Sequence, residues 1–432
     1  MHDTKDSGQY LLVTDMPETL IQPCNKGLGQ MERALPSSEI PALGWNLLHE
    51  DLSLPAAVLY EDRLSHNLQW MQKFAAAYGV KLAPHGKTTM APKLFLRQLQ
   101  AGAWGITLAT APQTRVAREH GVRRVLMANQ LVGKQNMAII SKLLEDPQFE
   151  YYCLVDSAEL IESLGRFFQD RGQCLNVLLE LGIQDGRTGI RNNHQLQAAI
   201  DALTQWQGHI ALCGVEVYEG ILKEEAPIRH YLRHALEVGH MLAEAKRFAR
   251  SPVILSGAGS AWYDVVADVF SKAELEGPVE VVLRPGCYLT HDVGIYRAAQ
   301  EQIQLRNPVV RDMGSGLLPA LQLWAYVQSV PEKTKAIITL GKRDAAFDSG
   351  LPTPSVLYRP GSSRPQPAPA HWALTGMMDQ HAYLQIAEGD DIRVGDMIGF
   401  DISHPCLTFD KWRYLTVLNS EYQVVEVVAT FF

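Results

Sequence analysis

Cys-x-x-Cys pairs are absent from this 432-residue chain, and only six cysteines occur in it. Six thiols with no close pairing suit a reducing compartment better than a disulfide framework. No apolar run approaches the ~18 residues that a membrane-spanning helix needs. No dense block of lysine and arginine is present, and the net charge of −8 argues against a nucleic-acid surface. The opening stretch, MHDTKDSGQYLLVTDMPETL, is acidic and polar and lacks the basic-then-apolar order of a secretory signal. Short solenoid repeats are missing as well. The expectation is a cytoplasmic protein with no nucleic-acid or membrane partner.

What is present is ordinary in amount. A hydrophobic fraction of 47% and a charged fraction of 20% are those of a globular domain. The length is too great for one small core and predicts one large domain plus a smaller one. From about residue 80, short apolar runs alternate with amphipathic stretches. The runs are KLAP (81–84), GITLA (105–109), RVLMAN (124–129), EYYCLVD (150–156), NVLLELG (176–182), ALCGVEVY (211–218), PVILSGA (252–258) and VEVVLRPG (279–286). The stretch 157–172 between two of them opens on Asp156-Ser157 as a cap and closes at Gly172. Continuous apolar strands separated by helices predict a parallel sheet buried on both faces. Eight such strands predict an α/β fold with a closed (β/α)8 barrel, an open doubly wound sheet being the competitor. In both, a ligand sits at the carboxyl ends of the strands.

After about residue 300 the helical stretches thin out and strand-like runs follow one another, predicting a mostly antiparallel β domain. Residues 349–371, rich in proline and serine, read as loop or excursion. The predicted division is 1–51 as an N-terminal extension, 52–300 as the barrel and 301–432 as the β domain.

Polar and glycine residues crowd the carboxyl ends of the runs, and Lys87, in PHGKTTMAP, follows the first strand. An enclosed lysine loses part of its hydration, so its amine is a nucleophile for an aldehyde; the alternative is a solvated or salt-bridged side chain. Two loops on the same ring are compatible with phosphate. SGAGS (256–260) runs from a strand into a helix start, and RPGCY (284–288) offers a second backbone approach at Gly286. A lysine with two such loops points to pyridoxal 5'-phosphate bonded through its aldehyde. Near the other end, in FDISHPCLTFDKWR, His404 and Cys406 stand two apart, so in a strand both would face one side. Imidazole and thiolate together suit zinc, and two donors leave positions open for water or substrate. The competing reading is a packed cysteine beside a surface histidine.

PHGKTTMAP together with SHPCLTFDKWR resembles the bacterial D-serine dehydratase-like and D-threonine aldolase-like enzymes of the alanine-racemase fold, over roughly residues 52–430. The resemblance implies a (β/α)8 barrel that binds pyridoxal phosphate, followed by a β domain. It makes Lys87 the coenzyme-bonding lysine, with His85 beside it as a positioning or acid/base group. GVEVYEG aligns with a family motif and places Glu216 and Tyr218 on one side. Glu216 would face the coenzyme's ring nitrogen or pair with an arginine. Arg187, in DGRTG, would anchor the coenzyme edge or a carboxylate, or form a turn salt bridge. Gly259 and Ser260, then Gly286, Cys287 and Tyr288, would line the phosphate.

The resemblance further places a divalent cation, zinc with manganese or magnesium as alternatives, on His404 and Cys406. Cysteine at the second position is the dehydratase pattern, where the aldolases tend to carry aspartate. The implied activity is dehydration of a D-3-hydroxy amino acid such as D-serine or D-threonine to a 2-oxo acid and ammonia. Aldol cleavage to glycine and an aldehyde is the alternative, and a non-catalytic coenzyme-binding protein a further one. A homodimer is implied too. The chain departs from the family pattern at Ala83, where an arginine is usual, and at Thr89, where a histidine is common.

Overall fold

In the computed structural model the described residues are 18–432; residues 1–17, which begin the acidic start noted above, lie outside them. After two short paired strands, Leu20–Ile21 and Leu35–Pro36, and two 3-10 turns come strand β1 (Ala56–Tyr60) and helix α1 (Glu61–Tyr78). The eight apolar runs then form β2 (Lys81–Leu82), β3 (Ile106–Leu108), β4 (Arg124–Gln130), β5 (Glu150–Val155), β6 (Leu175–Leu181), β7 (Ile210–Val217), β8 (Val253–Gly257) and β9 (Val279–Leu283). They pair in parallel in chain order, and β9 returns to β2. The ring closes between β2 and β3. There the N–H groups of Trp104 and Thr107 donate to the carbonyls of Leu82 and Pro84 at 2.7 and 2.9 Å, and His85 bridges Thr107. The sheet is therefore the closed barrel, and the open doubly wound alternative is excluded.

Helices follow the strands: α2 (Pro92–Gln100), α3 (Ala111–Glu119), α4 (Lys134–Leu143), α5 (Ala158–Gln169), α6 (Asn193–Gln205), α7 (Glu225–Glu244) and α8 (Tyr263–Phe270). Ser157 caps α5 by accepting from the Leu160 N–H at 3.4 Å, and Gly172, at φ +61°, turns the chain after it. Leu126, Tyr152, Leu154, Leu178, Ile254 and Val282 cluster between the strands. The barrel is thus a packed core and not a pore, which leaves its mouth as the place for chemistry.

The second layer is mostly antiparallel, as expected. After α9 (Ile295–Arg306) and α10 (Pro308–Asp312) come β10 (Leu321–Glu332), β11 (Lys335–Ile338), β12 (Thr353–Tyr358), β13 (Ala373–Met377), β14 (Ala382–Gln385) and β15 (Met397–Asp401). A one-turn helix α11 (Cys406–Phe409) precedes β16 (Tyr414–Leu418) and β17 (Val424–Ala429).

Three placements differ from the sequence expectation. Strand β1, counted there with the barrel, pairs antiparallel with β10 and parallel with β16, so it belongs to the second sheet. Its residues are all buried, which hides the difference from any reading of hydrophobicity. The 349–371 stretch is not loop throughout, because β12 pairs with β15. Pro354 is tolerated there at a register shift, where the ladder does not need the N–H that proline lacks. The expected boundary at 300/301 falls inside α9.

The described part of the N-terminal extension packs on the second sheet. Ile21, Leu28, Trp45 and Leu47 join a core cluster with Trp324 and Tyr414. Lys26 lies 3.9 Å from the Trp412 ring centroid and 2.7 Å from the Asp344 carboxylate. Among the described residues no helix is long and apolar enough to cross a membrane.

Gly214 marks a close approach between β7 and β8. A Cβ there would stand 1.9 Å from the Ile254 carbonyl oxygen, a backbone atom that cannot swing aside. Gly214→Ala is expected to lower unfolding free energy by about 3 kcal/mol, the upper end for overpacking a core. A urea midpoint equal to that of the unmodified protein would contradict this account of the barrel wall.

Candidate active site

The loop after β2 turns sharply through a single 3-10 turn, Gly86–Thr88. Gly86 is required because a Cβ would lie 2.8 Å from the Phe95 ring of α2. Lys87 is exposed at this turn, at the carboxyl end of the barrel. Next to it, His85 has a buried Nδ1 with no hydrogen-bond partner. Burial, and then the charges of Lys87, Arg284 and Arg187, push its imidazole well below the usual histidine range. His85 is therefore neutral at physiological pH in a neighbourhood rich in positive charge, which favours an anion.

Across the mouth, Arg284 and Glu216 form a buried ion pair. Arg284 Nε also donates to the Ser256 hydroxyl at 3.1 Å, and its Nη2 to the Val217 carbonyl at 3.0 Å. The open choice for Glu216 thus includes an arginine partner, but only one oxygen is engaged. Its Oε2 is buried and unpartnered. Burial pushes this carboxyl up to about 8, against the pull of Arg284. Arg187 lies over the Tyr218 ring at 4.0 Å from its centroid. The loop that carries Arg187 is held by two side chains. Thr188 donates to Glu180 at 2.7 Å, and Asp156 accepts the Gly189 N–H at 3.0 Å.

The N–H groups of Gly286 and Cys287 converge on the Ser260 hydroxyl at 3.3 and 3.2 Å. Gly286 admits no side chain, because a Cβ would lie 2.5 Å from Thr88 Oγ1 and 2.8 Å from the His85 carbonyl. Its lack of a side chain lets the Arg-Pro-Gly turn lie against the Lys87 turn. Two converging N–H groups, a hydroxyl and three nearby cations fit a phosphate.

Other loop positions differ from expectation. The N–H groups of Ala258 and Gly259 donate to the buried Glu219 carboxylate at 3.0 and 2.9 Å, so they are already engaged. Tyr288 does not reach the mouth. It is buried, and its hydroxyl accepts from Gln98 of α2 at 3.2 Å.

His404 and Cys406 are not on a strand. Pro405 separates them, and Cys406 opens α11. A helical turn nevertheless brings the two side chains together. His404 Nδ1 meets Asp348 Oδ2 at 2.8 Å. Cys406 Sγ lies 3.5 Å from the Thr88 hydroxyl and 3.7 Å from Cys287 Sγ. The contact with Cys287, then those with His404 and Thr88, holds the Cys406 thiol well below the usual cysteine range despite burial. The Cys406 contact and then Asp348 push His404 up to about 9.

A carboxylate on Nδ1 leaves Nε2 free, the arrangement typical of a metal-binding histidine. The donor chemistry of this pair fits a borderline-soft cation. Among the described residues no group of three or more His, Cys, Asp and Glu is placed to hold a metal ion. Asp348 was not singled out in the sequence, and Glu219 stood out only as one of the polar residues at the strand ends. Asp348 lies 56 residues before His404, and Glu219 looks like any carboxylate at a strand end.

Residues 320–418 match the family described as "Putative serine dehydratase domain", and residues 60–275 match the alanine racemase N-terminal domain family. A D-threonine aldolase from Arthrobacter sp is 23% identical over 84% of this chain and 89% of its own. D-threo-3-hydroxyaspartate dehydratase from Delftia sp. (strain HT23) is 26% identical over 56% of this chain and 62% of its own. Among solved structures, the D-threonine aldolase from Filomicrobium marinum superposes with a TM-score of 0.73 at 22% identity, covering 90% of this chain and 97% of that one. A cysteine-to-alanine mutant of D-threo-3-hydroxyaspartate dehydratase, described as in the metal-free form, gives 0.68 at 21% identity over 90% and 99%. With half of its length matched by the barrel family and the second sheet by the other, the chain belongs to the alanine racemase N-terminal domain family.

Proposed function

We propose that this chain is a pyridoxal-phosphate- and metal-dependent lyase that removes water from a D-3-hydroxy amino acid, giving a 2-oxo acid and ammonia. One observation carries the reading. The His-x-Cys motif of the second domain closes onto the loop of the barrel lysine, with Cys406 Sγ 3.5 Å from the Thr88 hydroxyl. The names of the relatives, D-threonine aldolase and D-threo-3-hydroxyaspartate dehydratase, support a lyase acting on D-hydroxy amino acids.

Lys87 would hold the coenzyme by its aldehyde. The N–H groups of Gly286 and Cys287 with the Ser260 hydroxyl would hold its phosphate, and Arg187 over Tyr218 would border its edge. The unpartnered oxygen of Glu216 would face the coenzyme's ring nitrogen. Bound pyridoxal phosphate supplies an electron-withdrawing ring that stabilises negative charge at the substrate's Cα. The free Lys87 amine takes the α-proton. His85, neutral and hemmed by cations, positions that amine. His404 and Cys406 would hold zinc, which supplies Lewis acidity to a hydroxyl that is otherwise a poor leaving group. Asp348 fixes the His404 ring. A homodimer, implied by the resemblance, is part of the same reading.

Aldol cleavage is the second reading, favoured by the aldolase relative that covers most of this chain. Cysteine at 406, where the aldolases tend to carry aspartate, favours dehydration. Products decide between them. D-threonine is expected to give 2-oxobutanoate and ammonia, and D-serine pyruvate, with activity lost to a chelator and restored by zinc. Glycine and acetaldehyde from D-threonine would transfer the assignment to the aldolase.

Two variants separate coenzyme from metal. Lys87→Ala is expected to show no visible-range absorbance when saturated with pyridoxal phosphate. Cys406→Ala should keep that absorbance and lose about 100-fold or more in turnover, beyond the loss typical of a supporting residue. Unchanged absorbance in the first, or normal turnover in the second, would overturn the respective role.

A further inference from the structure

Six cysteines occur in the chain, and all are free. Cys153 and Cys213 are buried in barrel strands, while Cys24 and Cys174 are exposed at the surface. Cys287 and Cys406 are different. They lie on different domains, 119 residues apart, yet their sulfurs are 3.7 Å apart. Cys287 is 3% exposed, whereas Cys406 is partly open to solvent at the start of α11. One thiol is therefore reachable by a small oxidant, and the other is shielded but in contact with it.

We propose that Cys287 and Cys406 form a reversible disulfide that switches the candidate site off. The inference that the site is switched off rests on the reading of Cys406 as a metal donor; the cross-link itself rests on the geometry. A disulfide is about 2.0 Å long, so the sulfurs need to approach by roughly 1.7 Å, a distance within side-chain rotation. The oxidant class is a hydroperoxide. The Cys406 sulfur attacks the peroxide oxygen, an S–O bond forms and the O–O bond breaks, and the departing oxygen takes the Cys406 thiol proton to leave as alcohol or, from hydrogen peroxide, as water. Cys287 then gives up its proton and attacks the Cys406 sulfur. The S–S bond forms, the S–O bond breaks, and hydroxide leaves as a second water after taking that proton. Two thiols are oxidised and one hydroperoxide is reduced.

Two consequences follow from position. A sulfur in a disulfide is no longer a thiolate, so His404 would be the only donor left of the pair. The bond also stops Cys406 at the reversible end of the oxidation ladder, because the resolving thiol is already beside it. A cation held on Cys406 would occupy the same sulfur and shield it. Metal binding and the cross-link are alternatives.

The test uses the full-length protein, treated with chelator, exposed to hydrogen peroxide and digested without reductant. A linked peptide pair containing positions 287 and 406, lighter than the two thiol peptides by two hydrogens, is the expected product. Zinc binding by titration should fall at least tenfold and return after dithiothreitol. Cys287→Ser should instead accumulate oxygen adducts at Cys406 that dithiothreitol only partly reverses. The proposal is overturned if wild-type Cys406 gathers oxygen adducts without a link, or links elsewhere. If the cross-link forms but zinc neither protects against it nor binds the reduced protein, the metal assignment fails while the disulfide stands.

Discussion

The Cys406 sulfur and the Thr88 hydroxyl are 318 residues apart in sequence and 3.5 Å apart in space. The rest of the candidate site depends on that contact. It joins the lysine turn at the barrel mouth to the His-x-Cys pair of the second domain. Strand β1 makes the contact possible. It pairs in the second sheet while the helix that follows it runs into the barrel, so the two halves share one continuous piece of backbone.

The mouth itself is organised by charge. Arg284 is paired with Glu216, and together with Lys87 and Arg187 it surrounds a neutral His85. Burial sets that protonation state first, and the neighbouring cations reinforce it. Glu219 has a different part in the same economy of charge. It takes up two N–H groups of the loop after β8, whereas those of Gly286 and Cys287 turn to the Ser260 hydroxyl. The exclusion of side chains at Gly86 and Gly286 brings the lysine turn and this turn together. Sterics and electrostatics thus select the same small volume.

Much of this was legible in the residues. All eight barrel strands were visible, because a strand buried on both faces must be continuously apolar and its loops must be polar or glycine. Ser157 was visible as a cap because a hydroxyl before a helical stretch has one common use. Lys87, His85, Gly286 and the His404–Cys406 pair stood out as candidates because few side chains perform the chemistry proposed for them. The failures have equally physical causes. Tyr288 was placed at the site by motif proximity, yet its ring turned inward to bond Gln98. The pair at 404 and 406 was drawn on a strand, and Pro405 put it on a helical turn instead.

The sequence by itself determined the alternation of strand and helix, the antiparallel second half and the kinds of side chain available for chemistry, since these follow from local periodicity and composition. Only the tertiary structure decided that β1 joins the second sheet, that Glu216 meets Arg284, that Asp348 orients His404 and that Cys287 touches Cys406. Each of those is a contact between segments far apart along the chain. Such contacts are settled by how the sheets close and pack, and no local pattern encodes the partner across the gap.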